Sequence, residues 1–122
     1  MSDQIDEAIK AIDTTEEIPK NQMLQVLRVI HERRAQDAKW GEQNHNDYYW
    51  LGILAEESGE VAKALIEGAV VTRPPFNAPN HAGDLTAHFT YNKPDTADLE
   101  KELTHVAAVA IAWLEAIQRR KA

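Results

Sequence analysis

The chain has no cysteine, which excludes disulfides, thiolate metal sites and cysteine nucleophiles. It also has no apolar run long enough to cross a membrane, and its polar first residues, MSDQIDEAIK, do not resemble a signal peptide. Basic residues are few: 13 Lys and Arg stand against 20 Asp and Glu, for a net charge of -7. Because phosphate contacts need clustered cations, stable nucleic-acid binding is not expected. These absences predict a cytoplasmic protein without membrane contact.

Three long segments have the apolar spacing of helices, and at 122 residues the chain has the length of one domain. They run from about Asn21 to Lys39, from near Asn46 to Gly68, and from the stretch after Pro94 to Arg119 or beyond. The apolar stripe of the first helix, which we expect to pack in the core, consists of Leu24, Leu27, Ile30, Ala35 and Ala38. We expect Asn21 to cap the N-terminus of the first helix, and Asp95 or Thr96 that of the third.

Two other segments lack this pattern. Residues 1–20 form an accessory arm or short helix, and residues 69–96, with four of the five prolines, form a long loop or insertion. The fold class that follows is all-α, a bundle of three to five helices with a long proline-rich loop, in a single domain spanning 1–122.

The third helix contains the run Val106–Leu114, which is apolar at every position. Such a helix is buried nearly all round, and because so short a chain cannot easily cover it, we expect self-association. Trp50 and Trp113 are assigned to packing.

The segment LAEESGEVAKAL, residues 54–65, puts three glutamates on an amphipathic helix. Its apolar stripe, which we expect to face a core, consists of Leu51, Leu54, Ala55, Ser58, Val61, Ala62 and Leu65. Glu57 and Glu60 lie off that stripe, but Ile53 and Ala64 flank them on the same face. A solvated acidic face is the simpler alternative, yet these neighbours favour a second packed surface. Carboxylates crowded there would protonate unless a cation neutralised them.

A matching group occurs on the third helix, where Glu102 and His105 are three residues apart and so share a face. A hydrogen-bonded structural histidine is the alternative for His105 alone. Together with Glu57 and Glu60, this pair predicts a four-ligand metal site built from two antiparallel helices. Oxygen ligands favour Mg²⁺ or Mn²⁺, and the single imidazole shifts the balance toward Mn²⁺ or another transition metal.

These motifs resemble a known family. EESGE at 56–60, followed by ELTH at 102–105, is similar to the E-E-x-x-E and E-x-x-D motifs of the MazG-like all-α nucleoside triphosphate pyrophosphatases. The upstream segment QDAKWGEQNH at 36–45 is similar to the stretch that precedes the first motif in that family. The resemblance covers roughly 25–68 and 97–118.

The resemblance implies a helical bundle that forms dimers or tetramers and uses Mg²⁺ to hydrolyse a nucleoside triphosphate to the monophosphate and pyrophosphate. It implies that Glu57, Glu60 and Glu102 are metal ligands, with Glu56 as an auxiliary acid. Glu56 or Glu57 would accept the proton of the attacking water. His105 stands where the family has aspartate, and the connection between the motifs is longer than in compact members.

For the nucleotide, Trp40 is a candidate to stack on the base, Gln36 or Asn44 to bind its edge, and Lys39 or Arg73 to meet a phosphate. A structural role is the stronger alternative for each of these residues taken alone. For Trp40 the alternative is packing in a core or interface.

Two other functions remain open. The sequence Glu102-x-x-His105 is similar to the Glu-x-x-His element of ferritin-like di-iron bundles, although each chain here carries only one such element. The second alternative is a helical binding or regulatory module that has lost catalysis through the histidine at 105.

Overall fold

The computed structural model describes residues 2–12, 17–67, 69–72, 88–91 and 96–122. In chain order its elements are helix α1 (Ser2–Ala11), helix α2 (Lys20–Trp40), helix α3 (Asp47–Glu67), strand β1 (Ala69–Thr72), strand β2 (His88–Tyr91) and helix α4 (Ala97–Lys121). The four helices confirm the all-α class, and α1 shows that the N-terminal arm contains a short helix.

The ends of α2 differ slightly from the prediction. Pro19, rather than Asn21, is the N-cap. Proline suits this position because its fixed φ matches the entry into a helix and its missing N–H is not needed there. The Asn21 side chain instead accepts a hydrogen bond from Gln25 Nε2 at 2.8 Å. The helix stops where Gly41 adopts φ 69°, and the Gly41 N–H donates to the Asp37 carbonyl at 2.8 Å.

The starts of α3 and α4 follow the sequence closely. The Asn46 side chain accepts a hydrogen bond from the backbone N–H of Tyr49 at 2.9 Å, which is the interaction expected of an N-cap. Thr96 is the N-cap of α4. The alternative cap Asp95 and the expected helix breaker Gly68 lie outside the described residues.

Helix α4 packs against both α2 and α3. Helix α3 is antiparallel to α4, as predicted: Asp47, at its start, accepts a hydrogen bond from Trp113 at 2.9 Å and pairs with Arg120, whereas Glu57, further along, lies near His105. The bonds from Trp113 and Arg120 hold the pKa of Asp47 below its usual value.

Helix α2 runs parallel to α4. Near its start, Arg28 Nη1 lies 3.7 Å from a Glu100 carboxylate oxygen, and further along Arg33 Nε donates to Glu115 at 3.0 Å. The two pairs follow the same order along both helices. Together α2, α3 and α4 therefore form a groove with α4 at its base.

The core lies between α3 and α4. Trp50 is only 2% exposed, and the other members of this cluster are Val109, Ala112 and Ala116, with Ile53, Leu54 and Trp113 packed against them. The assignment of Trp50 and Trp113 to packing is therefore confirmed.

The apolar stripe of α2 does not face this core. Leu24, Leu27 and Ile30 are 47%, 53% and 41% exposed. The stripe that α2 turns toward α4 contains Val29, Glu32, Arg33 and Gln36, which are partly buried at helical spacing. Polar groups that pair with α4 have thus taken the place expected for apolar ones.

The prediction for α4 is also wrong for a single chain. Leu103, Ile111 and Leu114 are exposed, so the helix is not buried all round. On α3, only part of the expected stripe faces α4: Leu54 is partly buried, whereas Leu51 is exposed. Among the described residues, the extensive contacts of α4 are with α2 and α3, and they leave these side chains uncovered.

The segment 69–96, expected to be a loop, begins and nearly ends in strand. β1 and β2 pair antiparallel, with Ala69 opposite Tyr91 and Thr72 opposite His88. The sequences AVVT and HFTY contain the β-branched and aromatic residues that favour strands. The rest of this segment lies outside the described residues. No described helix combines the length and the apolar character that crossing a membrane requires.

Candidate metal centre

Three side chains from two helices converge in the middle of the groove. Glu57 on α3 and Glu102 and His105 on α4 each present one donor atom, and these atoms lie within 4.8 Å of one another. All three residues are partly buried. Glu102 and His105 share a face because three residues are nearly one helical turn, and the antiparallel α3 brings Glu57 alongside them.

His105 lies at the centre of this group. Its Nδ1 is 3.4 Å from a Glu102 oxygen and 3.7 Å from a Glu57 oxygen. Its Nε2 is 3.6 Å from a Glu32 oxygen on α2. The two ring nitrogens therefore face carboxylates on opposite sides, and the imidazole connects all three long helices.

Glu32 is a site residue that the sequence analysis missed. It stands between His31 and Arg33 in a charged stretch that reads as a solvated face. The helical spacing of Glu32, Arg33 and Gln36 could have predicted this role, because it places these three polar residues on one face of α2, the face turned toward α4. The apolar residues Leu24, Leu27 and Ile30 predicted a different face for the contact, and they are exposed.

The charges of the group act on Glu57. Burial raises the pKa of the Glu57 carboxyl, the imidazole of His105 offsets part of this rise, and the negative charges of Glu102, Glu60 and Glu32 increase it. The ionised form of Glu57 is therefore electrostatically unfavourable in this position. A divalent cation would turn that repulsion into attraction, so two carboxylate oxygens and an imidazole nitrogen at this spacing fit such an ion.

Two of the predicted acids lie outside this set of three donors. Glu60 is exposed and does not join it, although its charge still acts on the pKa of Glu57. Glu56 is also exposed and lies about a quarter of a turn around α3 from Glu57. The structure therefore brings together three of the four predicted ligands and favours Glu57 over Glu56 as the acid nearest to the site.

Among the residues predicted to bind substrate, Gln36 is connected to the centre. Its Nε2 lies 3.5 Å from a Glu32 oxygen, and its Oε1 accepts a hydrogen bond from Arg33 Nη1 at 3.1 Å. Arg33 also donates to Glu115 on α4. Gln36 thus helps to hold Glu32 beside His105.

The other predicted substrate contacts lie toward the C-terminal end of α2 and beyond it. Lys39 Nζ lies 4.6 Å from the centre of the Trp40 ring, and the tryptophan is 54% exposed. The Asn44 Oδ1 accepts a hydrogen bond from Arg119 Nε at 2.8 Å. These residues are not part of the carboxylate group, and Arg73 lies outside the described residues.

A cavity of about 320 Å³ lies near the C-terminal end of α2, with Arg33, Gln36, Trp50 and Arg119 in its wall. The buried Trp50 Nε1 has no hydrogen-bond acceptor among the described residues. A buried donor without a partner is costly, so this indole N–H lowers the stability of the fold.

Glu57, Glu102 and His105 offer the carboxylate and imidazole donors of a small cation site, and Glu32 of α2 lies beside the histidine. Comparison with protein-family models, curated proteins and solved structures gave no match.

Proposed function

We propose that the chain is a metal-dependent nucleoside triphosphate pyrophosphohydrolase, which converts a nucleoside or deoxynucleoside triphosphate and water to the monophosphate and pyrophosphate. The observation that carries this proposal is the convergence of Glu57, Glu102 and His105 within 4.8 Å. They come from EESGE and ELTH, the two motifs that resemble those of the MazG-like pyrophosphatases. Nucleoside triphosphates are abundant in the cytoplasm, which is the compartment that we propose.

Glu57, Glu102 and His105 would hold Mg²⁺, with Mn²⁺ as the alternative that the imidazole favours. Such an ion supplies charge neutralisation for the phosphate oxygens and lowers the pKa of water beside it. Glu60, nearby and exposed, is available to a ligand that enters the groove.

The residues of the chain have distinct roles in this proposal. Glu57 has a raised pKa and a partly buried carboxylate, which makes it the better proton acceptor than the exposed Glu56. Glu32 fixes the orientation of the His105 ring, because a carboxylate beside one imidazole nitrogen determines how the other is presented. Gln36 in turn holds Glu32.

The test is release of pyrophosphate and monophosphate from a panel of nucleoside triphosphates, with Mg²⁺ and Mn²⁺ in parallel. We expect Glu57→Gln to lower turnover at least about a hundredfold, the lower range for loss of a general base. Glu67→Gln, an exposed glutamate at the end of the same helix, is the matched control and should leave turnover unchanged. Folded protein without turnover on any substrate would contradict the proposal.

A binding module without turnover is the second candidate, favoured by the histidine that replaces an acid and by its close contacts with three carboxylates. It predicts that the divalent cation raises the melting temperature while a nucleotide adds nothing. A di-iron function is the weaker alternative, because one Glu-x-x-His element per chain supplies half of the usual pair. Bound iron with an oxygen-dependent colour change would favour it.

We also propose that the chain self-associates as a dimer or tetramer. Among the described residues, 18 large hydrophobic side chains are exposed, whereas the buried hydrophobic core has five members. The apolar stripe of α2 and the back of α4 are each long enough to pack against the same surface of a second copy. Sedimentation should give more than one chain per particle. Leu24→Glu should shift it toward the monomer, whereas Gln25→Glu, the exposed neighbour off the stripe, should not.

A further inference from the structure

Helix α1 carries a row of isoleucines along one face. Ile5, Ile9 and Ile12 are each about half exposed, and their spacing of four and three residues places them in one stripe. The Ile12 N–H donates to the Ile9 carbonyl at 3.1 Å, so the turn that carries the stripe continues just beyond the helix. Among the described residues, α1 makes no extensive contact with another helix. An apolar stripe at this spacing is typical of a helix that packs against a partner.

The contact that holds α1 to the rest of the chain leaves this isoleucine stripe free. Gln118 Nε2 donates a hydrogen bond to Gln4 Oε1 at 2.8 Å, and both side chains are at the surface. Gln4 lies about a quarter of a turn around the helix from Ile5. A cavity of about 540 Å³ beside this bond has Gln4 on one side and the end of α4 on the other. An exposed hydrogen bond contributes little net free energy, so α1 is weakly held in this position.

The face of α2 that points away from α4 is apolar and basic. Its apolar stripe, Leu24, Leu27 and Ile30, is exposed. The exposed basic residues on or beside the stripe are Lys20, Arg28 and Arg34. The acids of α2 are engaged elsewhere, since Glu32 lies beside His105 and Asp37 accepts a hydrogen bond from Arg33 at 2.9 Å. We call this surface the outer face of α2.

Helix α1 and the outer face of α2 match in length and are opposite in charge. Along the helix axis, the isoleucine stripe covers about 10 Å and the stripe from Leu24 to Ile30 covers about 9 Å. Helix α1 contains three acids and one lysine, and Asp6 lies about a quarter of a turn from Ile5, beside the stripe. Opposite charges at the edges of two apolar stripes favour this pairing over the pairing of two basic faces.

We infer that the outer face of α2 is covered by α1 of a second copy of the chain. Each copy gives one α1 and accepts one, so the exchange closes in a symmetric dimer. The inference rests on the self-association proposed above and names α1, rather than a second α2, as the segment that covers the stripe. It depends on neither the metal centre nor turnover.

Cross-linking between single cysteines tests the contact directly, because the chain has no cysteine of its own. An unlabelled Ile9→Cys chain is mixed with a ¹⁵N-labelled Leu27→Cys chain, left to exchange subunits, and treated with a short bis-maleimide. These positions are the middle of each stripe, so they approach each other whichever way α1 runs. We expect a product that joins one unlabelled and one labelled chain. Gln25→Cys, exposed and almost half a turn from Leu27, is the matched control and should give little of this product.

The competing arrangements give different products. Cross-linked pairs of labelled chains from Leu27→Cys alone would mean that two α2 helices meet, which overturns the inference. A cross-link within one chain in the double variant Ile9→Cys with Leu27→Cys, without a mixed product from the single variants, would mean that α1 covers its own α2. That result overturns it as well.

Sedimentation gives a second readout. Ile9→Glu should raise the dissociation constant of the assembly about a hundredfold or more, because it places a charge in an apolar contact. Ala11→Glu adds the same charge about a third of a turn away from Ile5 and should remain close to the wild type. If the wild type associates and Ile9→Glu associates equally well, the role of α1 is wrong while self-association stands. If the wild type is a monomer, both fail, and the pyrophosphatase assay is unaffected. Circular dichroism melting verifies that each variant is folded.

Discussion

Glu57→Gln should make the metal-free protein more stable, although we expect it to destroy function. The carboxylates of Glu57 and Glu102 offer donor atoms within 4.8 Å of each other. Two unit charges at that distance repel by about 1 kcal/mol in water and by about 3.5 kcal/mol at an effective dielectric constant of 20. The Glu57 side chain is 30% exposed, so the true value lies between these limits, and attraction to His105 offsets part of it. A net gain of about 1 to 2 kcal/mol follows.

For a chain of this length, that gain corresponds to a rise in melting temperature of about 4 to 10 °C. The assay is thermal unfolding after chelation of all metal, at one protein concentration because self-association would also shift the transition. A carboxyl whose pKa is raised by folding costs stability only once it ionises. The gain should therefore be absent in acid, below the ordinary glutamate pKa of about 4.3, and grow as pH rises above it.

Metal should reverse the order of the two proteins. At a Mn²⁺ concentration of 100 times its Kd, the wild type gains about 2.7 kcal/mol, whereas Glu57→Gln should gain little because it has lost a ligand. Glu67→Gln should follow the wild type throughout. The reasoning is refuted if metal-free Glu57→Gln melts below the wild type at neutral pH, or if Mn²⁺ stabilises both proteins equally.

Three further predictions concern the helices around the site. Asp47→Asn should lower the melting temperature at pH 7, and the difference should shrink as pH falls below the ordinary aspartate pKa of about 3.9, because a carboxyl with a depressed pKa stabilises the fold only while ionised. A difference that does not shrink in acid would count against this. Trp50→Ala should lower the free energy of urea unfolding by about 3 to 5 kcal/mol. Trp50→Phe should lower it distinctly less, because phenylalanine fills more of the space and lacks the indole N–H that has no acceptor. Equal losses in the two variants would contradict this reasoning. Arg33→Met should cost about 0.5 to 1.5 kcal/mol, because it removes the donor to Gln36 and to Glu115, whose exposed carboxylate can still be solvated. An unchanged urea midpoint would show that these bonds are not important for stability.

The sequence predicted the elements that follow helical periodicity and the residues that share one helix face. Asn46 begins α3, Thr96 caps α4, and the i, i+3 spacing of Glu102 and His105 places both in the centre. Such relations are local, so the spacing within one helix determines them.

What the sequence did not predict depends on which helix faces meet. The apolar stripe of α2 was expected to face the core, but α2 turns Glu32 and Arg33 toward α4. Polar pairs, Arg33 with Glu115 and Glu32 with His105, join α2 to α4, and the apolar stripe of α2 therefore remains exposed in a single chain. This orientation brings Glu32 to His105, which periodicity alone could not indicate.

The histidine at position 105 is best understood together with Glu32. A carboxylate at 105 would meet Glu57, Glu102 and Glu32 at close range, and without a donor it could only repel all three. An imidazole has two nitrogens, and here Nδ1 faces the α3–α4 pair while Nε2 faces α2. It can therefore present one nitrogen to a cation while the other interacts with Glu32. His105 and Glu32 act as one unit, and the departure from the aspartate of the MazG-like pattern is compatible with a metal centre because α2 supplies the acid that the histidine needs.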